Sequence, residues 1–138
     1  MFLQPKKFKY KKLKKTYLTN LLNTKNSRLK FGNYGIKAQE ATRLTAKQIE
    51  SVRQTVNRQL NRKGKLWITI FPHIPVTSKP TENRMGKGKG SVEFWCAPVK
   101  AGTILFELGG KISEVEAKVA LKKGCAKLPI KTIVISKC

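Results

Sequence analysis

Apolar residues recur at helical spacing in two stretches of this chain and alternate with other residues in several more. Ile49, Val52, Val56 and Leu60 stand at i, i+3, i+7 and i+11, one stripe of a 3.6-residue period. Lys47, Arg53, Asn57, Arg58 and Arg62 fall on the other faces. Thr45-Ala46-Lys47-Gln48 opens this stretch as a capping box, in which the Thr hydroxyl and the Gln side chain satisfy orphan backbone N–H groups reciprocally. With Gly64 as its stop, the pattern predicts an amphipathic helix of about five turns. Ser113-Glu114-Val115-Glu116 is a second capping box and opens a shorter helix ending near Lys123 and Gly124. Its apolar side is read as Val115, Val119 and Leu121, with Ala117 and Ala120 allowing close approach. Glu50, Glu114 and Glu116 are assigned to first helical turns, where negative charge is favoured.

Alternation marks the strands. Leu66, Ile68 and Ile70 interleave with Trp67, Thr69 and Phe71, which predicts a strand over Lys65 to Phe71 covered on both faces. Pro72, Pro75 and Pro80 are expected to exclude regular structure up to a glycine-rich loop. Val92 to Val99 and Thr103 to Leu108 read as two strands joined by turn residues Pro98 to Gly102, hence a hairpin. After Leu128-Pro129-Ile130, the β-branched run Thr132 to Ile135 is the last strand. Together these predict an α+β sandwich with a mainly antiparallel sheet and two helices, spanning residues 31–138 as a single domain. No internal repeat is visible.

Charge changes the picture most at the N-terminus. The 138 residues carry 30 Lys or Arg against seven acids, for a formal net charge of +23. All seven acids are glutamate. Residues 1–30 hold ten basic residues, no acid and no steady period, so they read as a basic arm and not as a core element. A mitochondrial presequence is the competing reading, but the arm contains one Arg, Arg28, where such peptides favour Arg and Ser. Net charge of this size favours a polyanionic partner, nucleic acid before anionic membrane. No run approaches the roughly 18 apolar residues of a spanning helix. Cys96, Cys125 and Cys138 have neither zinc spacing nor the density of a disulfide framework, and are expected to be free thiols.

Within the arm, Lys6, Lys7, Lys9, Lys11, Lys12, Lys14 and Lys15 interleave with Phe8, Tyr10, Leu13 and Tyr17, pairing charge with rings able to stack on unpaired bases. A solvated counter-charge tail is the alternative. The second candidate is the loop Arg84-Met85-Gly86-Lys87-Gly88-Lys89-Gly90-Ser91. Its glycines let the main chain approach a ligand closely, Arg84 offers a planar fork to two phosphate oxygens, and Lys87 and Lys89 act as point charges. Met85 either stacks on a base or sugar or anchors the loop root. The spacing fits neither a Walker loop nor a dinucleotide fingerprint. A solvated hairpin tip is the bland alternative. His73, between Pro72 and Pro75, has no carboxylate near it in sequence, and no acid–base or nucleophile pair emerges. No catalytic residue, metal site or cofactor is expected.

Several stretches in order resemble the universal L-sixteen family of large-subunit ribosomal proteins in its bacterial form. They are Leu3-Gln4-Pro5-Lys6, Phe31-Gly32 with Gly35 and Lys37-Ala38, Arg43-Leu44-Thr45 with Gln48-Ile49-Glu50, Gly64-Lys65-Leu66-Trp67, Lys79-Pro80, Arg84 to Gly90, and Lys127 to Thr132. The resemblance implies a hammerhead-type α+β fold without catalytic activity. It implies binding to large-subunit ribosomal RNA near the peptidyl-transferase centre and the aminoacyl-tRNA path, among neighbouring ribosomal proteins and without homo-oligomers. By the same resemblance Arg84, Met85, Gly86, Lys87, Gly88, Lys89 and Gly90 face tRNA, and the arm, secured at Leu3 to Lys7, lies along RNA. Arg43 and Arg53 join the RNA-binding set. The chain departs from the family pattern at Leu13 to Ser27, rich in Lys and Asn, and at Gln39 to Thr42, which lack Arg-Gly character. Twenty-four Lys against six Arg point to A+T-biased coding, and with the match starting at Leu3 the expectation is a mitochondrion-encoded component, with a plastid or a bacterium as alternatives. The rival from another class is a free-standing RNA-binding or RNA-modifying enzyme using His73.

Overall fold

The computed structural model describes residues 3–14, 17–18 and 22–137; Lys15 and Cys138 lie outside them. Nine elements follow in order: β1 (Tyr34–Ala38), β2 (Thr42–Thr45), α1 (Ala46–Gln59), β3 (Lys65–Ile68), β4 (Ile74–Ser78), β5 (Ser91–Val99), β6 (Ile104–Gly109), α2 (Glu114–Cys125) and β7 (Thr132–Ser136). The strands form a four-stranded sheet ordered β3-β6-β1-β7 and a three-stranded sheet ordered β2-β5-β4. Every pairing is antiparallel, so the expected α+β fold is present.

Both capping boxes form. The Thr45 hydroxyl accepts from the Gln48 N–H while the Gln48 side chain accepts from the Thr45 N–H. Ser113 and Glu116 repeat the exchange. The stripe Ile49, Val52, Val56 and Leu60 is buried and packs α1 against α2 and against both sheets. At the crossing, a Cβ on Gly124 would lie 2.8 Å from Val56 Cγ2, so glycine sets how closely the helices approach. Truncating Val56 there would cost on the order of 2 kcal/mol.

The structure corrects several expectations. β5 and β6 are not a hairpin: β5 pairs with β2 and β4, whereas β6 pairs with β1 and β3. The turn at Lys100–Gly102 passes the chain from one sheet to the other, with the Gly102 N–H on Ala38 O at 2.7 Å. Pro75 does not exclude regular structure, because β4 is an edge strand and the missing N–H costs no ladder bond. β3 ends at Ile68, leaving Phe71 48% exposed. Helix α1 stops before Gly64. Asn61 N–H reaches Arg58 O and Arg62 N–H reaches Asn57 O, a Schellman cap whose left-handed residue is Asn61, at φ 48°. Glu50 lies beyond the first turn of α1. On α2 the buried residues are Ala117, Ala120, Leu121 and Gly124, while Val115 is 73% exposed. The small residues face the core because α1 crosses there too closely for valine.

Strands β1 and β2 were not anticipated, since a glycine-containing five-residue strand and a four-residue strand carry weak periodic signals. β1 nevertheless joins β6 to β7 in the larger sheet.

Candidate nucleic-acid interface

Strand β6 is buried along its whole length, including the carboxylate of Glu107 at 1% exposure. The outer face of the larger sheet is covered by the segment leading into β1. A Cβ on Gly35 would lie 2.5 Å from Leu29 Cδ2, and Phe31 stacks on Trp67 at 6.2 Å. Glu107 accepts hydrogen bonds from three successive backbone N–H groups, those of Lys30 (3.0 Å), Phe31 (2.6 Å) and Gly32 (2.9 Å). A buried carboxylate is tolerated only when it is satisfied in this way. Upstream, Asn23 N–H donates to Ala101 O at 2.8 Å and its side chain to Thr103 Oγ1 at 2.9 Å, while Asn26 O accepts from Ile104 N–H at 3.0 Å. The root of the arm is therefore tied to β6 and the preceding turn.

The other end of the arm is also seated. Leu3 packs against the core and lines a cleft with Gln4, the start of α1 and Trp95 of β5. Phe8 meets Trp95 with ring centroids 5.2 Å apart. Farther along, Lys12 Nζ donates to Lys89 O at 2.8 Å, and Lys89 Nζ donates back to Leu13 O. Arm and glycine-lysine loop thus hold each other through lysine–carbonyl bonds that use no acidic side chain. Lys6, Lys7, Lys9, Lys11 and Lys14 are exposed along this track, as is Tyr10, over whose ring Lys9 Nζ lies at 5.5 Å.

The loop projects between β4 and β5. Gly86 (φ 105°), Lys87 (φ 52°) and Gly88 (φ 85°) take left-handed backbone, which glycine reaches without Cβ strain. A Cβ on Gly86 or Gly88 would meet nothing within 4 Å, whereas one on Gly90 would lie 2.1 Å from Ser78 O. Gly90 therefore closes the loop base, and Gly86 and Gly88 leave its tip unobstructed. Lys79, not anticipated as a site residue, braces the tip by donating to Gly86 O at 2.5 Å. Met85 is 96% exposed, so it does not anchor the loop root. Among the described residues, Arg84 and Lys87 form no hydrogen bond or ion pair, leaving both charges to solvent.

Arg43 lies on β2 and Arg53 on α1, where its partner Glu50 lines the same cleft as Leu3 and Gln4. Arg43 is half-buried on β2 opposite Pro98. Its charge opposes the upward shift that burial imposes on the Cys96 thiol. Arg53 is clamped by Glu50 through Nε at 2.9 Å and Nη2 at 2.6 Å. That hydrogen-bonded pair holds the Glu50 carboxyl below its ordinary value. His73 is exposed, its Nδ1 3.1 Å from Phe71 O. Glu107 and Trp95 were the residues missed. The one signal for Glu107 was an isolated glutamate inside an otherwise apolar strand.

The profile of the ribosomal protein L16p/L10e family matches residues 5–135. The large ribosomal subunit protein uL16 of Buchnera aphidicola subsp. Cinara cedri (strain Cc) is 50% identical over 135 residues, covering 98% of this chain and 97% of that protein. Its counterpart in Sphingopyxis alaskensis (strain DSM 13593 / LMG 18877 / RB2256) is 52% identical over 136 residues, 98% and 93% of the two chains. That of Bartonella henselae (strain ATCC 49882 / DSM 28221 / CCUG 30454 / Houston 1) is 52% identical over 130 residues, 94% and 93%. The chain belongs to the ribosomal protein L16p/L10e family, whose members are structural components and not enzymes.

Proposed function

We propose that this chain is a structural constituent of the large ribosomal subunit that binds large-subunit ribosomal RNA. The arm and the Arg84 to Gly90 loop are directed at the aminoacyl-tRNA path near the peptidyl-transferase centre, supporting tRNA positioning and late subunit assembly. Neighbouring ribosomal proteins are its other partners, and it acts as a single copy. The observation that carries the reading is the reciprocal Lys12 and Lys89 contact. It joins arm and loop into one cationic surface within a chain of net charge +23, and self-repulsion on that scale is relieved by a polyanion.

The relatives are bacterial, which fits translation in a bacterium or in an organelle with its own genome. The excess of Lys over Arg favours the mitochondrion. A tagged copy should co-sediment with large subunits in sucrose gradients of the organelle fraction and move to the top after ribonuclease treatment. Sedimentation at the top without nuclease contradicts the reading.

A further inference from the structure

Four strands end the two sheets, β3 and β7 the larger and β2 and β4 the smaller, and three of them are poor templates for further pairing. β2 and β3 are four residues long, while β4 carries Pro75 and a register shift between Val76 and Thr77, devices that keep an edge from recruiting another strand. β7 has none of them. Thr132-Ile133-Val134-Ile135-Ser136 pairs with β1 through five residues without a shift. Its inner side is fixed at both ends, where Gln39 N–H donates to Lys131 O at 3.0 Å and Lys137 N–H donates to Asn33 O at 2.7 Å. Antiparallel bonds recur at every second residue, so Ile133 and Ile135 also turn their backbone groups to β1, and Thr132, Val134 and Ser136 turn theirs outward. Those outward N–H and C=O groups make no hydrogen bond to any described residue. Ile133 is 46% exposed, and Val134 and Ile135 are half-buried. Lys131 and Lys137 bracket the strand, both exposed. At its far end a cleft of about 330 Å³ opens, lined by Asn33, Tyr34, Glu114, Ser136 and Lys137.

We infer that β7 is a strand-addition site, on which an extended segment of a neighbouring ribosomal protein continues the larger sheet. The inference rests on the reading of the chain as a large-subunit component, and it names where one protein partner lies. The edge itself selects polypeptide over RNA. It presents donors and acceptors together, and a second main chain matches both. RNA phosphates only accept, and would leave the outward carbonyls of Thr132, Val134 and Ser136 unpaired. Ile133 adds apolar surface that the β-branched side chains of an added strand cover, and a phosphate gains nothing from it. Charge narrows the occupant further. Lysines at both ends of an uncharged edge fit a segment whose apolar stretch is flanked by carboxylates. A second copy of this chain fits poorly, because antiparallel pairing of β7 with β7 centred on Val134 sets Lys131 of one copy against Lys137 of the other.

The test is a photo-cross-link within purified large subunits carrying the full-length chain with p-benzoylphenylalanine in place of Ile133, read together with amide hydrogen exchange of the unsubstituted chain. The expected product joins Ile133 to one polypeptide segment. The amides of Thr132, Val134 and Ser136 should exchange at least about tenfold more slowly in the subunit than in the free protein. Ser136→Pro deletes an outward N–H and sets the ring in its place while sparing the bonds to β1, and the cross-link should fall at least about fivefold. Ser136→Ala keeps the amide and should cross-link as the parental chain does. A cross-link to RNA or to a second copy, or unchanged exchange at the three amides, overturns the site. So does a polypeptide cross-link that S136P leaves at parental yield. If S136P melts below the parental protein, the exchange result decides alone, since it needs no substitution. Absence of the chain from large subunits removes the underlying reading as well, whereas its presence there with a cross-link only to RNA removes the β7 site and leaves that reading intact.

Discussion

Gly32 and Gly88 are the same residue type used for opposite reasons. A Cβ on Gly32 would sit 2.6 Å from Leu108 O and 2.8 Å from two further backbone atoms of that residue. Glycine there is a packing requirement, letting the arm root lie flat on β6 so that its N–H groups reach Glu107. A Cβ on Gly88 would meet nothing within 4 Å, and the need is only for left-handed backbone at φ 85°. One region is a joint that the fold depends on. The other is a tip that the fold tolerates and a ligand would use.

Substitutions should separate them. The largest effect is expected at the joint, because the atoms Gly32→Ala would strike are backbone and cannot rotate away. A loss of about 3 kcal/mol or more, a fall in melting temperature on the order of 10 °C, is expected by calorimetry. Glu107→Ala should cost a similar amount by leaving buried N–H groups unpaired. Next come Gly86→Ala and Gly88→Ala, at about 1 kcal/mol each from positive φ alone. Stability losses at the tip equal to those at Gly32 would erase the distinction. Arg84→Ala should leave the melting temperature unchanged within error and slow tRNA accommodation or subunit maturation, read by translation rate and gradient profiles. Normal values for both would count against the loop as a contact element.

The smallest expected effect lies outside both regions. The hydrogen bond from Arg53 lowers the Glu50 carboxyl below its ordinary 4.5. A lowered carboxylate contributes stability above its unfolded value and loses it as pH falls through the folded one. Glu50→Gln should therefore cost about 0.5 kcal/mol near neutral pH, with the difference vanishing as the pH falls below 4.5. A difference that persists in acid would assign the effect to packing.

How much of this was readable follows from how local each signal is. Both helix starts were legible because a capping box is written in four consecutive residues. So was the tip of the loop, whose glycines and lysines require no distant partner. The joint was not, because the place of Glu107 depends on a segment about 75 residues away folding over β6. The hairpin expectation failed for a related reason. Turn residues at Lys100 to Gly102 specify a change of direction but not which sheet receives the next strand. Val115 and Val119 misled because hydropathy favours valine for the buried side, and the closeness of α1 and α2 favours alanine and glycine.

Arm and loop are held to act as one surface, and the most direct test is a double-mutant cycle on affinity for large-subunit ribosomal RNA with Lys12→Ala and Lys89→Ala, melting temperatures recorded in parallel. Coupling of about 0.5 kcal/mol or more, with the double variant losing less than the sum of the singles and all four proteins melting together, is the expected result. Losses that add within about 0.3 kcal/mol would show that arm and loop bind independently, and would contradict a joint surface.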